Sequence, residues 1–345
     1  MIIDTLSDLD PQPFDALDPS IGTAGTHSRL LGLERDTRWT TRYSVVHDTE
    51  GIAAATPIYL CGASRWLDPA YDPAVWASGR EASETWQPRR TVVLAGRADL
   101  RSSLHVAPRA RTPWVLRALL QDAADVAGVQ HVAIPYIFDH DRRFLNIYAG
   151  PALRWRQLGA EASFYPPFAD LTRLPSKIRS VLKRDLAAIR RHEVVSRVDD
   201  WTNRRPEELE ADVYLIAAHK ARFGLPDHPE LVALRMSHWT RVSHVQPLVF
   251  HARTAHIEGV LTALLWSNEL ELHELGLSGE PSRERQAVYA ELVFHAPMRF
   301  AASHGLTRIR AGLEASTAKY VRGATLAPVF TAVTTMDALL DATRS

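Results

Sequence analysis

A single cysteine, Cys61, in 345 residues excludes an internal disulfide framework and any cysteine-rich zinc site. It lies between apolar "PIYL" and "GAS", which reads as a packed strand end. Net charge is missing as well: Lys plus Arg and Asp plus Glu both total 40. No whole-molecule field therefore draws in a polyanion, and any nucleic-acid contact has to be local. No apolar run approaches the ~20 residues that a membrane helix needs, so no membrane span is expected. The opening "MIIDTLSDLDPQPFD" carries four aspartates and no lysine or arginine, unlike a secretory or transit peptide, and a cytoplasmic location is the expectation. Also missing are a glycine-rich phosphate loop ending in Lys-Ser or Lys-Thr, a G-x-G-x-x-G fingerprint and an H-E-x-x-H pair. The 15 histidines are scattered, and His192, His219, His228, His238 and His244 do not converge at ligand spacing. Metal-free chemistry with no tightly bound cofactor is expected.

What is present is ordinary globular material, 46% hydrophobic and 23% charged, long enough for two domains of roughly 150 residues each. The second half repeats the first. "RYSVVHDTEGIAAATPIYL" (42–60) reads as a strand, a turn at Gly51 and a second strand, and "QPLVFHARTAHIEGVLTALLW" (246–266) follows the same order with Gly259 at the bend. "TPWVLRALLQDAADVAGVQHVAIPYIF" is an amphipathic helix stopped at Gly128 and followed by a buried strand. "RQAVYAELVFHAPMRFAASHGLTRIRAGLE" matches it, with Gly305 as the stop. Between the halves, "SFYPPFADLTRLPSK" (163–177) has three prolines that interrupt any regular element, which places the domain boundary near 165, dividing 1–165 from 166–345. A long helix is predicted from Pro206 to Arg222, ending at Gly224. Pro297, inside the second-half helix, removes a hydrogen bond at a cost of ~3 kcal/mol unless the helix kinks there, beside a functional groove.

One stretch breaks the charge balance. "KIRSVLKRDLAAIRRH" (177–192) has six Lys or Arg against one Asp. Helical spacing gathers Ile178, Val181, Leu182 and Ile189 on one face, with Lys177, Arg184 and Arg191 on one border and Arg179, Lys183 and Arg190 on the other. Two readings stay open. Lys177, Lys183, Arg184, Arg190 and Arg191 contact phosphate, or they form a solvated face over snorkelling stems.

The second-half order of strand, helix, strand and loop, "ELELHELGLSGEPSRERQAVYAELVFHAPMRFAASHGLTRIRAGLEASTAKYVRGATLAP", resembles the acetyltransferase-like domains of the GNAT superfamily. It is more similar still to the double-domain, Fem-like acyl and aminoacyl transferases, which carry two such domains in tandem. "RLPSKIRSVLKRDL" is similar to the basic helix that opens that family's second domain, and "LLGLERDTRWTTRYSVVHDTEGIAAATPIYL" to its opening hairpin. The loop reads G-x-E-x-x-x-x-K-x-x-R-G-x-x-x-x-P, falling on Gly312, Glu314, Lys319, Arg322, Gly323 and Pro328. The resemblance spans about residues 25–330 and implies an α/β fold of two tandem GNAT-like domains, each a mixed central sheet flanked by helices.

It also implies transfer of an activated acyl group to an amine. That chemistry needs an acceptor for the amine proton and donors for the tetrahedral oxyanion. Catalytic candidates are Glu274, Tyr289 and Glu314. Candidates for binding donor or substrate are His273, Lys319, Arg322 and Gly323. Period-two alternation puts His273 and Glu274 on opposite faces, so one at most lines a given pocket; Glu274 is preferred, its alternative being an exposed edge acid. Lys319 and Arg322, three apart, share a helical face where they bind a phosphate or carboxylate, the alternative being a salt-bridged connection. Glu314 ends the strand, where ligand sites of α/β proteins cluster. Many GNAT enzymes hold the coenzyme A pyrophosphate on Q/R-x-x-G-x-G/A, and "GLSGEPSRERQAVYAEL" (276–292) departs from it. Fem-like enzymes that use aminoacyl-tRNA also lack that loop. The expected function is therefore an N-acyltransferase moving an aminoacyl group from aminoacyl-tRNA to the amine of a small metabolite or cell-wall precursor. An acyl-CoA-dependent enzyme is the alternative, and a non-catalytic ligand- or nucleic-acid-binding protein is the alternative of another class.

Overall fold

The computed structural model describes every residue except 68, 77–85, 127, 169, 225, 226 and 345. The strands are β1 (Ile2–Ile3), β2 (Trp39–Asp48), β3 (Gly51–Cys61), β4 (Thr91–Leu94), β5 (His131–Phe138), β6 (Arg154–Phe164), β7 (Val195–Asp200), β8 (Val245–Arg253), β9 (Glu258–Trp266), β10 (Glu269–Leu277), β11 (Arg308–Arg310) and β12 (Thr325–Thr335). The helices are α1 (Pro11–Asp15), α2 (His27–Leu33), α3 (Pro73–Trp76), α4 (Pro113–Ala124), α5 (Asp139–Ala149), α6 (Ser176–Arg191), α7 (Pro206–Ala221), α8 (Pro229–Trp239), α9 (Arg283–Ala290), α10 (Ala296–Ser303), α11 (Ser316–Tyr320) and α12 (Met336–Arg344). Among the described residues no helix is long and apolar enough to cross a membrane.

Unit 1 comprises Met1–Ala160 and Ala327–Ser345, and unit 2 comprises Glu161–Leu326. The expected boundary near 165 lies close to the first crossing, but residues 327–345 fold with unit 1 rather than with 166–326. Their partners explain it. β12 pairs antiparallel with β5 from Val329–Phe138 to Thr335–His131, and Met336 and Leu339 of α12 are buried in the unit 1 core with Leu116 and Leu120 of α4.

In unit 1 the strand order is β1-β2-β3-β4-β5-β12, with β4 and β5 parallel and the other pairs antiparallel. Val115, Leu116, Leu119, Leu120 and Ala123 form the buried stripe of α4, as the sequence spacing predicts, and Gly128 beyond it has φ 78°. Cys61 is the buried last residue of β3. A polar cluster sits inside this apolar shell. The Asp18 carboxylate accepts from Ser103 Oγ at 2.6 Å and faces His140 Nε2 at 3.2 Å, while Asp141 accepts from Arg111 at 2.8 Å and from the Leu104 N–H at 3.0 Å. Burial by itself would lower the His140 pKa, but the bond to Asp18 and the charges of Asp141 and Asp18 outweigh it and raise it above the ordinary 6.5.

Unit 2 has the order β6-β11-β10-β9-β8-β7, with β10 and β11 parallel. One face carries Phe250, Leu261, Leu270 and Ile309 against Val288, Leu292 and Phe294. A separate cluster joins Val249, Val260 and Leu264 to Val213, Ile216, Val232, Met236 and Trp239 of α7 and α8. The β8–β9 hairpin forms as expected, but Gly259 lies within β9, not at its bend; a Cβ there would come within 2.5 Å of Leu292 and 2.7 Å of Leu277, so the glycine allows close packing. Pro297 lies just past a change in the bonding pattern of its helix. The helix runs on from α9 to α10 through a π-helical segment, Glu291–His295, where the Ala296 N–H bonds to Glu291 O, and Pro297 follows directly after this wider turn.

Since His140 is stabilised in its charged form, its share of stability is complete below pH about 6.5 and lost as the pH rises through its raised folded-state pKa. His140→Ala is therefore expected to lower Tm more at pH 5.5 than at pH 9. Equal losses at both values in a thermal melt would contradict the linkage.

Candidate functional site

β10 and β11 share parallel pairing only from Glu269–Arg308 to Glu271–Arg310. β11 then ends, while β10 continues to Leu277. The chain leaving β11 turns through left-handed Gly312 (φ 73°) and Ala315 (φ 52°) into α11. Lys319 closes this turn from inside: its buried ammonium donates to the carbonyl oxygens of Ala311, Glu314 at 2.5 Å and Gly312 at 3.4 Å. Burial lowers its pKa to about 8, against the opposing charges of Glu314 and Glu161. Arg322 anchors the far end. Its Nε and Nη2 donate to Asp185 of α6 at 2.6 and 3.0 Å, its Nη1 donates to Ala318 O at 2.9 Å, and the guanidinium lies 4.4 Å from the Phe294 ring centre. Gly323, with φ 98°, packs on Ile178, which a Cβ would approach to 3.3 Å.

Both cationic heads thus hold protein groups, as in the salt-bridged connection that the spacing also allowed. Glu314 differs. Its side chain is exposed, and among the described residues no hydrogen-bond or ion-pair partner engages its carboxylate. Tyr289 of α9 is half-buried and edge-on to Phe294 at 5.8 Å. Burial raises its pKa; the Arg322 charge opposes this and the Glu314 charge adds to it. The loop therefore brings Glu314, Lys319, Arg322 and Gly323 into one assembly, with the Tyr289 phenol in electrostatic reach.

Glu274 and His273 are placed by a bulge. Leu272 pairs with Ala263 and Leu275 with Leu261, so His273 and Glu274 together oppose Thr262, whose Oγ1 accepts from the Glu274 N–H at 3.0 Å. The expected opposite faces are corrected here, because an extra residue breaks the period of two. Both side chains reach α8: His273 lies edge-on to Trp239 at 5.2 Å, and Glu274 accepts from Arg235 at 2.9 and 2.8 Å. Lys220 of α7 donates to Glu274 at 2.5 Å and to Asp227 at 3.0 Å, and Arg235 also bonds Asp227. Burial would raise the Glu274 pKa, but the two cations outweigh it and lower it. Glu274 is thus an ionised, paired carboxylate rather than an exposed edge acid. Among the described residues His273 Nε2 has no hydrogen-bond partner; the nearest carboxylate oxygen recorded is on Glu271, at 3.8 Å.

Sequence reasoning missed two sets of charges. Arg310, fully buried, bonds Glu161 at 3.1 Å and Glu269 at 2.6 Å, and Arg308 bonds Glu161 at 3.1 Å. The alternating "ELELHE" and "RIR" were the available signal, since period-two charges of opposite sign on neighbouring strands face each other. Asp185 and His295, 3.8 Å apart, left no such trace.

The phosphate-contact candidates form a group of their own. Lys177, Lys183, Arg184, Arg190 and Arg191 are all exposed on α6, and among the described residues none has an ion-pair partner. Leu182 and Ile189 are buried and Ile178 and Val181 half-buried, as the spacing predicts.

No protein-family model and no curated protein sequence matches the chain. Solved structures do. A tandem GNAT protein from the clavulanic acid biosynthesis pathway is 11% identical, with 97% of this chain and 98% of that chain covered and a TM-score of 0.56. FemX is 11% identical, with 96% of each chain covered and a TM-score of 0.57. The chain has the tandem GNAT fold. L-PGS from Bacillus licheniformis shares it at 12% identity, with 96% of each chain covered and a TM-score of 0.52. The Fem-like, double-domain resemblance of the sequence therefore holds at the level of fold.

Within this GNAT fold, the loop after β11 depends on Asp185 and Arg322, whose side chains are 14% and 17% exposed. Removing one partner leaves a largely buried charge unpaired, so Asp185→Asn is expected to lower the unfolding free energy by about 2 kcal/mol or more, with Asp185→Leu/Arg322→Leu recovering much of it. Urea titration gives the comparison, and a single-variant loss near zero would refute the anchor.

Proposed function

We propose that the protein is an N-acyltransferase whose site lies in unit 2 and whose donor is aminoacyl-tRNA. The amine nitrogen of a small metabolite or cell-wall precursor attacks the ester carbonyl carbon. A C–N bond forms, the C–O bond to ribose breaks, and the ribose oxygen leaves as a hydroxyl. Glu314 takes the proton from the amine and returns it to the leaving oxygen. Tyr289, whose phenol is protonated at neutral pH as any tyrosine is, donates to the tetrahedral oxyanion. The observation that carries this reading is the uncommitted, exposed Glu314 on a loop braced at both ends, beyond the C-terminal end of β11. Lys319, Arg322 and Gly323 support that loop, Glu274 holds the β10 bulge against α7 and α8, and the unpartnered His273 Nε2 is assigned to substrate contact.

The choice of donor rests on α6, whose five uncommitted cations suit an RNA backbone. The β10–α9 connection, Ser278–Ser282, lacks a glycine-rich phosphate loop, and Arg285 is spent on Ser278 O at 3.1 Å. An acyl-CoA donor is the competing reading, favoured by the exposed Arg283 in the first turn of α9.

Incubation with charged tRNA or acyl-CoA and a panel of amines, with a ribonuclease arm, separates the two. Amide product is expected from charged tRNA and is lost on ribonuclease treatment; product formed equally well after ribonuclease rules out the RNA donor. Glu314→Gln is expected to lower kcat by about 10²- to 10⁴-fold. Unchanged turnover in that variant would remove Glu314 from the mechanism.

A further inference from the structure

We propose that the exposed face of α6 and the side chain of Tyr320 form one surface for an RNA strand end, with phosphates on the helix and an unpaired base on the tyrosine ring. The proposal rests on the reading of an RNA-borne donor and deepens it by naming where that RNA is held. Charge complementarity is the first argument. α6 carries six Lys or Arg, and its one acid, Asp185, is turned inward and bonded to Arg322. The outward cations Lys177, Lys183, Arg184, Arg190 and Arg191 have no ion-pair partner among the described residues, in a chain whose net charge is zero. Sixteen residues give the helix a length of roughly 24 Å, enough for several backbone phosphates.

The apolar face of α6 decides between RNA and lipid. Leu182 and Ile189 are buried, and Ile178 lies against Gly323, so no free apolar stripe is left to enter a bilayer. Tyr320 supplies the second feature. It is 62% exposed while its neighbour Lys319 is buried, so α11 points the ammonium inward and the aromatic ring to solvent. It lies two residues before Arg322, the anchor on α6, and six after Glu314. The Arg322–Asp185 bonds and the packing of Gly323 on Ile178 hold the segment that carries Tyr320 against α6, so the ring is offered as a stacking platform to a strand end on that helix, and stacking on an aromatic is tolerant of base identity.

Fluorescence anisotropy of the full chain, using an RNA hairpin with a single-stranded 3′ tail and the same hairpin blunt-ended, tests this. Tighter binding of the tailed RNA is expected. Tyr320→Ala should weaken the tailed RNA about five- to a hundredfold and the blunt one little, and Tyr320→Trp should restore it. Reversal of Lys183, Arg184, Arg190 and Arg191 to glutamate should weaken both RNAs and flatten the salt dependence by about 0.7 to 0.9 in log–log slope per phosphate lost. Wild-type affinity of Tyr320→Ala for the tailed RNA, or an unchanged slope in the reversal variant, overturns the surface. So does capture by phosphatidylcholine vesicles carrying a quarter phosphatidylglycerol in place of RNA. RNA binding as described without transfer from charged tRNA would overturn the donor reading alone.

Discussion

The parting of β10 from β11 is the constraint on which unit 2 depends. The two parallel strands share hydrogen bonds only as far as Glu271 and Arg310, so the chain leaving β11 has to be fixed by side chains instead of by a ladder. Lys319 gathers the carbonyls of the turn, and Arg322 ties its far end to Asp185 on α6. Beyond the parting, β10 carries a bulge that is pinned by Thr262 and by the four-charge cluster of Glu274, Lys220, Arg235 and Asp227. What a sheet lacks in backbone pairing is replaced here by buried charge, and such charge is stable only when fully paired.

That requirement sorts the ionisable groups. Arg310, Arg308, Glu161 and Glu269 neutralise one another beneath the surface, and the half-exposed Arg235 and Lys220 neutralise Glu274 and Asp227. Groups that satisfy each other in this way have little left to offer a ligand. The exposed Glu314 and the outward cations of α6 have no such partner among the described residues. A chain with no net charge thereby acquires a local basic face and a separate local acid.

Much of the fold was legible because it rests on local rules. The glycines after α4 and α10 have φ 78° and 63°, the left-handed conformation that a helix stop needs, and Pro297 directly follows a π-helical turn of its helix. The amphipathic stripe of α6 could be read from spacing alone, since a period of 3.6 is a property of the helix itself. The candidate site was legible only in outline. Glu314, Lys319 and Arg322 stood out as a charged turn after a strand, but nothing in that turn named Asp185, 137 residues away, as the partner of Arg322. The bulge that reunites His273 with Glu274 did leave a trace, since the leucines of "ELELHELGL" shift from positions 270 and 272 to 275 and 277 across that pair, but the strict period-two reading passed over it.

The sequence by itself determined the helix stops and which helix would be basic, since each follows from composition and periodicity within a few turns of chain, while the tandem α/β plan was what its resemblance to the Fem-like transferases implied. Only the tertiary structure decided that residues 327–345 complete unit 1, that Lys319 and Arg322 brace the loop, and that Glu274 is paired. Those outcomes depend on contacts between distant residues, and the desolvation cost of a charge is set by what the fold packs around it.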